Sequence, residues 1–214
     1  MSSVFALWRM VALHLLRSPP LWALLPVLLG VVPLLQELRP LGTSTTGLEI
    51  ARAWAFPAGL TGASLALVQL SQREAFLVRV APGVRALGEW GGCLLAPLLL
   101  QLPIVLGALG THPEALDLAH AATDILCSDL HLAGLALLSL ALPISTHGRL
   151  LVFLALAWAL PALGAPHATL TRLVALLDAA RPLGAASSAL PAALAGLGLA
   201  LLHALRRLPA PAPR

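Results

Sequence analysis

The chain has 214 residues, 59% hydrophobic and 10% charged, with a mean hydropathy of +0.91 and a formal net charge of +4. A soluble domain carries about a quarter charged residues, so this composition excludes a water-facing globular surface. Every basic residue is arginine. The absence of lysine excludes a Gly-x-x-x-x-Gly-Lys-Ser/Thr phosphate loop, and no arginine cluster interleaved with aromatics points to nucleic acid.

The apolar residues fall in Leu/Ala runs close to the ~20 residues a helix needs to cross a ~30 Å hydrocarbon core. They lack the strict alternation of barrel strands, and helices satisfy their own backbone polar groups in lipid. The fold class read from this is an all-α integral membrane protein, with about six transmembrane helices preceded by an N-terminal interfacial helix.

Residues 2–17 form the interfacial segment. Arg9, His14 and Arg17 interrupt an apolar helix, and Phe5, Trp8, Ala12 and Leu15 recur at helical spacing on one face. Such a helix lies at the headgroups, its arginines reaching lipid phosphate. No small-residue cleavage site follows, so the segment reads as retained rather than as a signal peptide. Pro19 and Pro20 break the helix.

The first span is expected over 21–36, with Pro26, Gly30 and Pro33 as kink sites, followed by a short external loop over 41–48. The second span is expected over 51–70, a charged loop over 72–89, and the third span over 90–109. Residues 111–131 mix acids and histidines with apolar positions. They read as a loop, as an external amphipathic helix or as part of a fourth span centred on 130–146. His147-Gly148-Arg149 reads as a tight turn before a fifth span over 150–164. A sixth span over 185–204 ends at Arg206 and Arg207. The domain division is therefore 1–18 interfacial helix, 19–207 transmembrane domain and 208–214 Pro-rich tail. Cys93 and Cys127 suggest no disulfide framework, and Cys93 reads as a small packing residue.

Charge sets the orientation. With both termini cytoplasmic, Arg9, Arg17, Arg73, Arg79, Arg85, Arg149, Arg206, Arg207 and Arg214 lie inside. Only Arg39, Arg52, Arg172 and Arg181 lie outside. The acids skew the other way: Glu74 and Glu89 inside, against Glu37, Glu49, Glu114, Asp117, Asp124, Asp129 and Asp178 outside.

Three groups of residues carry possible chemistry. The segment 72–85 reads as a short amphipathic helix, with Phe76, Leu77 and Val80 on one side and Arg73 and Arg79 elsewhere, stopped by Pro82-Gly83. It serves either as a docking helix for a cytoplasmic partner or as an anchor in the interface. The second group is His112, His120, Asp124, Cys127, Asp129 and His131. Its ligand types suit zinc or copper, but the spacing matches no metal motif and the bland alternative is a solvated external loop. The third is the polar residues within spans, Gln69, Gln101, Ser139, Ser187, Ser188 and His203, of which Gln101 lies deepest. Gln101 either lines a substrate path or makes an interhelical hydrogen bond, worth on average about 0.6 kcal/mol. Small residues from Gly184 to Gly196 mark close packing of the last span.

The step Arg17-Ser18-Pro19-Pro20-Leu21-Trp22 after an interfacial helix, Glu74 after the second span and Ala81-Pro82-Gly83 beyond it resemble permeases of the type-2 ABC exporter class. Phe76 and Leu77 stand where that class usually has a glycine after the acid. The stretches His147-Gly148-Arg149-Leu150-Leu151 and Leu160-Pro161-Ala162-Leu163 are similar to the haem-exporter-like permease of cytochrome c maturation. The resemblance implies a bacterial inner-membrane exporter half without its own ATPase. Its partners would be a separate cytoplasmic ABC ATPase and a second permease subunit. It implies coupling through Arg73, Glu74, Arg79, Pro82 and Gly83, a substrate path near Gln101, and external ligand contact at His112, His120 and His131. No catalytic residue, metal or cofactor is implied.

Two other readings stand beside it. One is a membrane scaffold in which 72–89 binds a partner without transmitting force. The other is an intramembrane enzyme, for which Ser187 or Ser188 with His203 is the pair to consider. On one helix those residues are about 23 Å apart at 1.5 Å per residue, too far to meet within the chain.

Overall fold

A computed structural model describes residues 2–17, 26, 29–30, 34, 47–74, 81–110 and 115–159. The described elements are α1 (Ser2–Leu16), α2 (Gly47–Gln72), α3 (Pro82–Leu109), α4 (Ala115–Leu140) and α5 (Thr146–Leu154), the last continuing as a π-helical turn over Ala155–Ala159. Among the described residues, three stretches are long and apolar enough to cross a membrane: Ala53–Gln72, Pro82–Leu109 and Leu118–Leu140. All of the first expected span except residues 26, 29, 30 and 34, the end of the fifth (160–164), the whole sixth, residues 41–46 and the Pro-rich tail lie outside the described residues.

The core forms where α2, α3 and α4 meet. α2 carries small residues in i, i+4 rows, Ala55-Gly59-Ala63 and Ala58-Gly62-Ala66, all buried. These rows let backbones approach, the usual basis of helix association in lipid. A Cβ added at Gly62 would lie 2.6 Å from Pro97 N and 2.7 Å from Ala96 O. Leu67, Leu70, Cys93, Ala96, Leu132, Ala136, Leu140 and Phe153 fill the space around this crossing.

α1 is docked rather than merely resting on an interface. Trp8 Nε1 donates to Leu87 O at 3.1 Å, and Gly91 leaves room for the indole. Val11 is buried against Gly92. The packed face thus runs through Trp8 and Val11, while Phe5, expected to share Trp8's face, is 68% exposed.

The helix boundaries differ from expectation where charges were read as loop. α3 begins at Pro82, eight residues before the expected third span, so Arg85 and Glu89 lie in its first two turns and are buried. Pro82-Gly83 starts the helix instead of stopping one. Proline at the first helical position loses no hydrogen bond and has its φ preset, and Ala81 is the extended residue before it. α4 is continuous from Ala115, so Asp124, Cys127, Asp129 and His131 belong to a membrane-length helix rather than to an external loop. The turn before α5 falls at 141–145, not at 147–149. Ser145 Oγ accepts from Gly148 N at 3.2 Å and caps α5, which places Arg149 in its first turn.

Candidate functional site: a charged end and a polar pair within the bundle

Where α2 ends and α3 and α5 begin, four charged side chains lie together. Arg149 Nη1 donates to Glu74 Oε2 and to Ser71 Oγ, each at 2.8 Å. Arg149 Nε donates to Leu142 O at 3.0 Å, binding the preceding turn. Ser71 Oγ in turn lies 3.0 Å from Thr146 Oγ1. On α3, Arg85 Nε donates to Glu89 Oε1 at 2.6 Å, one helical turn on. Each pair is formally neutral, one within the first turns of α3 and the other between Glu74 and the first turn of α5. Arg85, Glu89 and Arg149 are all nearly inaccessible. Charges at such a position persist only when paired.

This geometry gives the segment 75–80 a mechanical context. It leaves from Glu74 and returns to Ala81 at the head of α3. Glu74, at the start of that connection, is held by Arg149 of α5.

The second site lies farther along the same helices. Gln101 Nε2 on α3 donates to Asp129 Oδ1 on α4 at 2.8 Å and to Ala55 O on α2 at 2.9 Å. Gln101 and Asp129 are 1% and 0% exposed. Gly59 makes room for them, because a Cβ there would sit 2.5 Å from Gln101 Nε2. Gln101 Oε1 and Asp129 Oδ2 have no hydrogen-bond partner among the described residues. Beside the pair is a cavity of about 320 Å³, lined by Gln101 with Leu98, Leu102, Val105, Leu118, Ala122 and Ile125 among others. An ionisable group at such a depth ordinarily marks a pathway or binding site.

The expected site residues therefore divide. Glu74 belongs to the charged cluster. Pro82 and Gly83 open α3, with Gly83 exposed, and Arg73 lies apart from the cluster, facing α1 across a cavity. Arg79 and His112 lie outside the described residues. Gln101 does make an interhelical bond, and also lines a cavity. His120 is exposed, whereas the half-buried His131 donates from Nδ1 to Cys127 O at 2.9 Å. Eleven residues separate His120 and His131 along α4, about 16 Å of helix rise, and no metal-binding group of three appears among the described residues. Ser139 Oγ bonds back to Leu135 O at 2.9 Å. Ser187, Ser188 and His203 lie outside the described residues.

Arg149, Ser71 and Glu89 were not expected as site residues, Arg85 was expected only as the end of the charged segment 72–85, and Asp129 was expected in an external metal-type group and not beside Gln101. The Arg85-x-x-x-Glu89 spacing was the available signal for a self-neutralising helical pair. No sequence signal joins Gln101 to Asp129, 28 residues apart. In comparisons with family models, curated proteins and solved structures, the chain matches none of them.

Proposed function

We propose that the chain is the membrane-spanning permease subunit of an ATP-driven exporter, one half of a pore moved by a separate cytoplasmic ATPase. The ATPase docks at the end of the bundle that holds 72–89. The observation that supports this most is the buried cluster joining Glu74 to Arg149 beside Arg85 and Glu89. The Arg149–Glu74–Ser71 bonds tie α5 to the end of α2, where the segment leading to α3 begins, as a coupling element requires. The partly unsatisfied Gln101–Asp129 pair beside an apolar cavity supports a substrate path through α2, α3 and α4. The orientation follows the arginine skew, with both termini cytoplasmic in a bacterial inner membrane. Haem is the first substrate to test, on the resemblance carried by 147–151 and 160–163.

The test is purification of the tagged chain in mild detergent from its own membranes, then transport by the reconstituted complex. The proposal expects a co-purifying ATPase. It also expects Glu74→Gln to keep that partner while transport per ATP hydrolysed falls about tenfold or more. That scale follows from a charge-assisted hydrogen bond worth about 1.5–3 kcal/mol. Recovery of no ATPase rejects the proposal. A retained ATPase with hydrolysis and transport both unaffected in Glu74→Gln favours a scaffold instead.

A further inference from the structure

Between α1 and the end of α2 lies an open cavity of about 510 Å³ whose lining includes Arg9, Arg17 and Arg73. Among the described residues no acidic side chain lines it. Glu74, next in sequence to Arg73, is engaged by Arg149. None of the three arginines has a carboxylate partner among the described residues. On α1, Phe5, Arg9 and Leu13 follow one another at steps of four, and Arg17 continues the row just past the helix end. Such a row lies on one face. Phe5, Leu13 and Leu16 are 68%, 37% and 42% exposed. The cavity lining thus combines three arginines with the apolar side chains of Phe5, Met10 and Leu13.

Three like charges lining one cavity, with no carboxylate beside them among the described residues, favour an anion there. Guanidinium binds phosphate oxygens in a two-pronged fashion, and basic pockets between helices at a membrane face take anionic headgroups. We propose that this cavity is a binding site for an anionic glycerophospholipid. Its phosphate sits among Arg9, Arg17 and Arg73, and an acyl chain lies along Phe5 and Leu13. The apolar part of the lining favours a lipid over a soluble phosphate, which would leave it uncovered. A bound lipid bridges α1 to α2, and it removes Arg73 from the coupling role that its place beside Glu74 suggested. The site stands whether or not the chain is a permease.

The test uses the full chain in nanodiscs of phosphatidylcholine, alone or mixed with phosphatidylglycerol, with retained lipid identified by native mass spectrometry after extraction. The wild type is expected to retain phosphatidylglycerol in preference to phosphatidylcholine. Each of Arg9→Gln, Arg17→Gln and Arg73→Gln should weaken retention about fivefold, and the triple variant about a hundredfold, as the contribution of one basic residue near a membrane surface implies. Arg17 lies beyond the end of α1, so its variant reads the site without altering the helix, and circular dichroism checks the others. Inorganic phosphate and glycerol phosphate should not compete. Equal retention by the wild type and the triple variant overturns the proposal. So does competition by inorganic phosphate at the lipid's own concentration, which would make the site one for a free anion. Cross-linking of the cavity in native membranes to an acidic protein segment in place of lipid overturns it as well.

Discussion

Arg149 donates to a carboxylate, a hydroxyl and a backbone carbonyl from a position only 3% exposed. Removing it takes a 2.8 Å charge-assisted hydrogen bond from the half-buried Glu74, at a cost of about 1.5–3 kcal/mol. Arg149→Leu should therefore lower stability by that amount in detergent unfolding followed by tryptophan fluorescence. Adding Glu74→Leu to it should cost less than the two single losses summed, since both variants remove the same ion pair. A double-mutant cycle reads the difference directly. At the second site, Gln101→Leu should cost about 1–3 kcal/mol by stranding Asp129 Oδ1, and Gln101→Leu with Asp129→Leu should be closer to neutral. If the two single variants and the double variant are equally destabilising, the pair is not the unit described here.

At the scale of elements, the crossing of α2 on α3 depends on the absence of side-chain atoms at Gly62. Its hypothetical Cβ meets Ala96 and Pro97 backbone, which has no rotamer to change. Gly62→Ala should force the helices apart and destabilise the chain by about 1–3 kcal/mol, measured in the same unfolding assay. Gly83→Ala is the control, because a Cβ there meets nothing. It should be neutral or slightly stabilising, as alanine is the better helix former. The existence of these helices was legible in the sequence because long apolar runs in a poorly charged chain have few other destinations. Their ends were not. Arg85 and Glu89 look like loop residues until their pairing removes the cost of burial. Asp129 looks external until Gln101 is brought to it from another helix. The proline before Gly83, read in the sequence as a stop, and the serine before Thr146, placed ahead of an expected turn at 147–149, are helix starts that local chemistry explains once the structure is seen.

At the scale of the whole molecule, the described helices and the arginine skew together require that the segment between α2 and α3 and the turn before α5 face one compartment. Reporter fusions placed in 75–80 and at 143 should give the same-side response, and a fusion at 112 the opposite one. Opposite responses at 78 and 143 would break the bundle as described, because Glu74 and Arg149 could not then meet. The charged end is the part of the account on which the transport reading rests, and it was the part least visible in sequence. Its members come from three helices, and only Glu74 stood out alone.

The most direct measurement is site-directed labelling and cross-linking at Val78→Cys. Its background is low because Cys93 and Cys127 are both buried. The account predicts that a membrane-impermeant maleimide labels this cysteine in inverted membrane vesicles but not in intact cells. It further predicts that a short bifunctional reagent joins the same position to a co-purifying ATPase subunit. Labelling from outside intact cells, or a cytoplasmic cysteine that cross-links to no ATPase in its native membrane, would contradict it.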